Sequence, residues 1–386
     1  MSDISPARPR GPVVVAGHAC LDVIPSFPAG AKMPSAGHLT EVGPAVISTG
    51  GAVPNTGIAL HKLGFPVRLV ALAGEDLFGR SLSELLAASG AEVRLRIRPG
   101  VSTSYSVVLS PSGSDRGFLH SPGANHEFSP DDVTDADLDG ARALHFGYPQ
   151  AMRRTFEDGG AALAGLFARA SSGGMITSLD TCFPDPASEA GRADWRAFFR
   201  AVLPHVSMFC PSIDELPMLM GRPHRADVLD DLHSIAADLI EMGAAAVAIK
   251  LGAEGLYLRT SSDPQRMRRA HLPASWTARQ LRSPCFVANV VSATGAGDCT
   301  IAGLLAAGLG GDGPVEALTY ATAVGAFSVE ASDATGSIPT WREVLARVAA
   351  GWRRRPLQSL PSGYVLLGQG VFAGPDDSSQ SKGVIK

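Results

Sequence analysis

The run Thr294-Gly295-Ala296-Gly297-Asp298 places a carboxylate at the end of a small-residue turn, just ahead of an apolar helical stretch from Ile301 to Leu309. Small side chains leave the backbone N–H groups uncovered. At a helix N-terminus such groups carry a partial positive charge and suit an anion. A carboxylate among them is out of place in a site that only binds phosphate. It fits a site where Asp298 takes a proton from a hydroxyl while the N–H groups hold the charge developing on a transferred phosphoryl group. The same residues also suit a Gly-rich strand-to-helix turn with Asp298 as an ordinary N-cap. Val290 and Val291, just upstream, read as the end of a buried strand.

Two more stretches carry chemistry-bearing residues. Asp22 follows the apolar run Val13-Val14-Val15-Ala16-Gly17, where open α/β sheets bind ligands beyond their strand ends; a turn-forming Asp is the plainer reading. In Ser48–Asn55 the pair Gly50-Gly51 lets backbone approach a ligand closely, and Asn55 offers both donor and acceptor to hydroxyls or else caps the helix that follows.

The elements that must position these residues alternate. Strands are expected at 13–17, 67–73, 143–146, 175–179, 207–210 and 245–249. Helices are expected at 56–63, 80–89, 159–171, 195–203, 229–242, 315–331 and 340–350, with a further helix beginning at Ile213-Asp214-Glu215-Leu216 after Pro211. This rhythm predicts an α/β fold with a doubly wound, mostly parallel sheet and helices on both faces. Ser102–Ser110 and Gly117–His120 flank a Pro-Ser-Gly-Ser-Asp turn and read as an exposed hairpin. With the Gly/Pro-rich excursion after Asp22, it forms a small inserted β lid, discontinuous over about 23–48 and 101–121. The main domain is expected over 12–355, after a disordered arm at 1–11. A partly disordered C-terminal extension spans 356–386, with 376–382 a frayed tail.

Composition narrows the class. With 386 residues, 45% hydrophobic and 18% charged, the chain can bury a large core. A formal net charge of −4 argues against a nucleic-acid or membrane-surface binder. Five scattered cysteines without a C-x-x-C suggest free thiols in a reducing compartment. The absence of a signal-peptide core or a long apolar run leads to the expectation of a cytoplasmic protein. There is no Gly-Lys dipeptide and hence no P-loop, and no protein-kinase, G-x-S-x-G or H-E-x-x-H motif.

Taken together, the stretches resemble the ribokinase (PfkB-type) family of carbohydrate kinases over roughly Val13 to Ala350. The 290–303 stretch is similar to the family's second signature, and Gly50–Gly79 to its first. Ser121-Pro122-Gly123-Ala124-Asn125, Leu179-Asp180 with Trp195, and Gly336-Ser337-Ile338-Pro339 are smaller echoes. The resemblance implies a ribokinase-like fold, with Asp298 as the catalytic base and Gly295, Ala296 and Gly297 as its anion hole. Asp22, Gly51 and Asn55 match residues that hold the substrate's hydroxyls. Gly252 and Gly255 match the turn along the nucleotide, and Lys250 precedes that turn within reach of phosphate or ribose. Glu215 matches the acidic end of an N-x-x-E element that organises magnesium through water, with Ser212 where the family has Asn. Ser292-Ala293 replaces the usual Asp-Thr of the second signature, which puts potassium activation in doubt. Ala52 stands where ribokinase itself has Lys. The implied protein uses ATP and Mg²⁺ to phosphorylate a primary hydroxyl of a small sugar or polyol and dimerises through its lid. The alternatives are a nucleoside kinase, for which Tyr105 and Phe118 in the lid leave room, or a catalytically inactive sugar sensor.

Overall fold

The apolar runs of the chain become strands that neighbouring helices bury. The computed structural model describes residues 11–31, 33, 36–111, 117–222, 231–358 and 360–380. The expected N-terminal arm through residue 10, the hairpin tip at 112–116, the expected helix start at 229–230 and the last six residues lie outside them.

In chain order the strands are β1 Val13–Gly17, β2 Cys20–Ser26, β3 Gly43–Gly50, β4 Val67–Gly74, β5 Glu92–Arg98, β6 Tyr105–Leu109, β7 Gly117–Ser121, β8 Ala143–Gly147, β9 Ile176–Asp180 and β10 Met208–Phe209. Then come β11 Ala246–Lys250, β12 Leu256–Thr260, β13 Gln280–Ser283, β14 Val365–Leu366 and β15 Phe372–Ala373. Eleven of these form one sheet in the order β14-β15-β13-β12-β11-β10-β9-β8-β1-β4-β5. From β5 to β11 every pairing is parallel; from β11 to β14 every pairing is antiparallel.

Parallel strands are buried on both faces, and β1 shows how. Val13 and Val15 belong to one core, and Val14 and Ala16 to the other. The first core packs under the helices Ala52–Lys62, Ala296–Gly310 and Pro314–Ser328, the second under Ala161–Ser172, Trp195–Val202 and Leu232–Glu241. No helix among the described residues is long and apolar enough to cross a membrane.

The remaining four strands make a separate sheet, β3-β2-β6-β7, where the sequence places an inserted lid. Its outer strand β3 is exposed from Gly43 to Ile47.

Several features differ from the sequence reading, which did not expect β5, β12 or β13. Val290 and Val291 do not end a buried strand: they lie in an irregular loop, 60% and 56% exposed. The ladder has already ended at Ser283, before Pro284, and the Val291 N–H turns to the carbonyl of Val329. The helix expected to begin at Ile213 is only the single turn Leu216–Leu219. The aperiodic segment after residue 356 supplies β14 and β15. Near its end Asp377 is 1% exposed, where a frayed tail was expected.

Candidate active site

β1 lies between β4 and β8, so consecutive crossovers leave it in opposite directions and open a crevice beyond its carboxyl end. Asp298 reaches that crevice as the third residue of the Ala296–Gly310 helix, and it is only 2% exposed. The helix is capped by Gly295, at φ +72°, with no side-chain hydrogen bond; Asp298 is therefore not its cap. A Cβ at position 295 would come within 2.3 Å of the Ala334 Cβ, so both the dihedral and the space require glycine.

The carboxylate is held from two directions. Asn55 sits inside the Ala52–Lys62 helix rather than at its cap, and its Nδ2 donates to Asp298 Oδ2 at 3.0 Å. The Tyr148 hydroxyl donates to Oδ1 at 2.9 Å and to Oδ2 at 3.0 Å. Tyr148 follows β8 directly, with φ +66° and ψ +52°, an uncommon conformation for a residue with a Cβ. Thr56 Oγ1 donates to the backbone carbonyl of Asp298 at 3.3 Å.

Below this turn lies a buried ionic network. Lys250, the last residue of β11, pairs through Nζ with Asp180 Oδ1 at 2.6 Å, and Asp180 is fully buried at the end of β9. Lys250 also approaches the Gly295–Asp298 turn: a Cβ on Gly297 would lie 3.4 Å from its Nζ. Glu215 accepts from Thr181 Oγ1 at 2.5 Å and from the Ser212 N–H at 3.3 Å, and Ser212 bridges Lys250 between strands. Burial pushes the carboxyls of Asp180, Glu215 and Asp298 upward, while Lys250 pulls each of them back. Burial opposes the Lys250 ammonium, but these three carboxylates hold its pKa above the usual lysine value. One ammonium does not neutralise three carboxylates when all ionise, and burial holds their pKa values up, that of Asp180 to about 7. The second oxygen of Asp180 is buried without a partner. The donor set therefore fits a hard divalent cation. Among the described residues these carboxylates do not converge on ligand spacing, which suits a cation held through water and phosphate.

Asp22, Asn55, Thr294 and Asp333 line one cavity between the second sheet and the main one. Asp22 is 7% exposed on β2, and Gly51, at φ +96°, sits so close to His18 that a Cβ would overlap its ring. The structure thus brings Asp22 and Asn55 to one cavity; Asp298 and the Gly295-Ala296-Gly297 turn adjoin it through Asn55, Gly51 packs against His18, and Lys250 links the turn to Ser212 and Glu215. Gly252 and Gly255 flank the β11–β12 turn, with φ of +55° and +95°, and do not line the cavity. Tyr148, Thr181 and Asp333 were not read from the sequence. Tyr148 had one signal, its place at the carboxyl end of an expected parallel strand.

Comparisons with known proteins identify the fold and the family. The structure superposes on the ribokinase of Arabidopsis thaliana complexed with ribose and ATP with a TM-score of 0.70, at 22% identity, covering 87% of this chain and 98% of that one. A putative ribokinase II from E. coli, in complex with ATP and Mg²⁺, gives 0.68 at 20% identity, covering 88% and 99%. The fold is ribokinase-like. In sequence, the chain is 25% identical over 342 residues to Arabidopsis thaliana ribokinase, spanning 86% of this chain and 80% of the relative. It is 28% identical over 312 residues to a nucleoside kinase of Methanothermobacter thermautotrophicus, spanning 80% and 86%. The model of the pfkB family of carbohydrate kinases matches residues 12–341, and the chain belongs to that family.

Proposed function

We propose that this kinase transfers the γ-phosphoryl group of ATP to a primary hydroxyl of a small sugar or sugar-like polyol, with Asp298 as the base. The observation that carries this reading is the placement of a buried carboxylate within the first turn of a helix whose cap must be glycine. A hydroxyl bound beside Asp298 gives its proton to the carboxylate as its oxygen attacks. N–H groups at the start of this helix would hold the negative charge growing on the transferred group, although that of Ala296 already donates to the Ala293 carbonyl at 3.3 Å; the Lys250 ammonium lies 3.4 Å from where a Cβ on Gly297 would stand. Asp22 and Asn55 face the same cavity and orient the acceptor's other hydroxyls. Glu215 and Asp180 would hold Mg²⁺ through water; when bound, that ion offsets the phosphate charge.

A sugar is preferred to a nucleoside because one expected base-stacking residue is committed elsewhere. Tyr105 packs edge-on against Phe78 at 5.3 Å, opposite Leu21 in the ladder and off the row that carries Asp22. An ATP-consumption screen over aldoses, ketoses, sugar acids, polyols and nucleosides tests the class; turnover confined to nucleosides overturns the sugar reading. Asp298→Asn keeps the shape and removes the proton acceptor. With the best acceptor its turnover should fall by at least about 10²-fold, roughly 3 kcal/mol of barrier, with nucleotide affinity little changed. Near wild-type turnover would assign the deprotonation to another group.

A further inference from the structure

Beyond the phosphoryl-transfer residues, a second constellation lies where β1 passes into the small sheet. His18 follows β1, Cys20 opens β2, and His120 lies on β7, roughly a hundred residues away. Their donor atoms all fall within 4.8 Å of one another. The two Nε2 atoms of His18 and His120 face each other at 3.5 Å. That is longer than a good N–H hydrogen bond, about 2.7–3.2 Å. It is close to the separation of two imidazoles on a tetrahedral zinc, roughly 3.4 Å for Zn–N bonds of about 2.0–2.1 Å.

The surroundings favour ligation. His18 is buried, and its other ring nitrogen, Nδ1, is buried and without a partner. The fold therefore gains little from its polarity. The other nitrogen of His120, Nδ1, lies 3.0 Å from Ser106 Oγ, the kind of outer contact that fixes a ligand's ring. Cross-strand register puts Asp22, Ser106 and His120 in one row, and Cys20, two residues before Asp22, points to the same side. Asp22 Oδ1 lies 3.3 Å from Cys20 Sγ and is the nearest carboxylate for a fourth position. Two imidazoles and a thiol select a borderline-soft cation, unlike the all-oxygen surroundings that suit magnesium.

We propose that His18, Cys20 and His120 form a site for a zinc-class divalent cation that clamps the small sheet onto the carboxyl end of β1. On binding, the Cys20 thiol releases its proton to solvent and coordinates as thiolate. The clamp ties β7 to the β1–β2 junction, and Asp22 lies between it and the acceptor cavity.

The test needs neither nucleotide nor sugar. The full chain, stripped with a chelator, is titrated calorimetrically with Zn²⁺ alone, and Co²⁺ serves as an optical probe. One equivalent should bind, and Co²⁺ should show a thiolate-to-metal charge-transfer band. Cys20→Ser should remove that band, and either Cys20→Ser or His120→Ala should weaken Zn²⁺ binding by at least about 100-fold. His120 lies on an exposed strand, so its variant tests the site even where the buried Cys20 substitution impairs folding. Zinc should also slow proteolysis within 20–50 and 105–121 in the wild type and not in His120→Ala. Absence of stoichiometric binding, or affinity in His120→Ala within about threefold of wild type, overturns the site; an unprotected sheet in the zinc-loaded protein overturns the clamp.

Discussion

At the scale of single residues, Tyr148 is one of the groups that tune Asp298. Burial raises the Asp298 carboxyl, while Lys250 and hydrogen bonds from Asn55, Tyr148 and Thr56 pull it back. Tyr148→Phe removes a donor shared by both carboxylate oxygens. The Asp298 pKa should then rise further. With Asp298 as the proposed base, its deprotonated form is the active one, and the acid limb of kcat/KM should move to higher pH. A limb that stays in place would mean that Tyr148 does not act through Asp298. Glu215→Gln addresses the neighbouring network. It removes one buried negative charge and keeps the shape, so the half-saturating magnesium concentration should rise several-fold while KM for the acceptor changes little. An unchanged magnesium titration would take Glu215 out of the metal's surroundings. Asp298 and Asn55 stood out in the sequence because small residues and glycine pairs mark them locally. Tyr148 did not, because its contact spans 150 positions and its signal is only a tyrosine after a strand.

At the scale of elements, the interior parallel strands were legible because most are short, mainly apolar runs, buried on both faces. The additions at the sheet's edges were not. β5 alternates charged and apolar residues, Glu92-Val93-Arg94-Leu95-Arg96, as befits an edge strand covered on one face. β14 and β15 are two residues each, too short for any periodicity. What fastens this C-terminal pair is polar. Asp377 accepts from Arg279 Nε at 2.9 Å and from the Gln280 N–H at 2.8 Å, which ties the segment to β13. Burial raises its carboxyl, but bonds from Ser379, Gln280 and Arg279 outweigh that and hold it below the usual aspartate value. Its contribution to stability is therefore complete above the unfolded pKa, about 3.9, and is lost as pH falls through the lower folded value. Asp377→Ala leaves the nearly buried Arg279 unpaired and should cost about 3 kcal/mol at neutral pH. The checks are the urea midpoint and new chymotrypsin cleavage between 356 and 380, where Tyr364 and Phe372 lie. A wild-type midpoint and digestion pattern would show that the strand pair holds without this anchor.

At the scale of the whole molecule, the small sheet has two unlike faces. Register aligns Ile47, Val23, Val107 and Leu119 in one row across all four strands, an uninterrupted apolar line. Ile24 and Val108, one residue on, line the acceptor cavity, so the Ile47 row faces away from it. Ile47 is 46% exposed and Leu119 62%. A small four-stranded sheet has too little core of its own, and an exposed apolar outer face of this kind calls for a partner. The partner that needs no further component is a second copy packed about a two-fold axis, each row against its mate. Such pairing would also hold each sheet over its cavity and limit the access of water to the phosphoryl group. Light scattering at micromolar concentration should therefore give a dimer, and Ile47→Lys with Leu119→Lys should give a monomer whose main-sheet fold is intact. Idle ATP hydrolysis relative to acceptor phosphorylation should rise in that variant, because its sheets no longer support one another. A wild-type monomer, or a doubly charged variant that still dimerises, would assign the apolar row another role and leave the phosphoryl-transfer site, built wholly within one chain, unaffected.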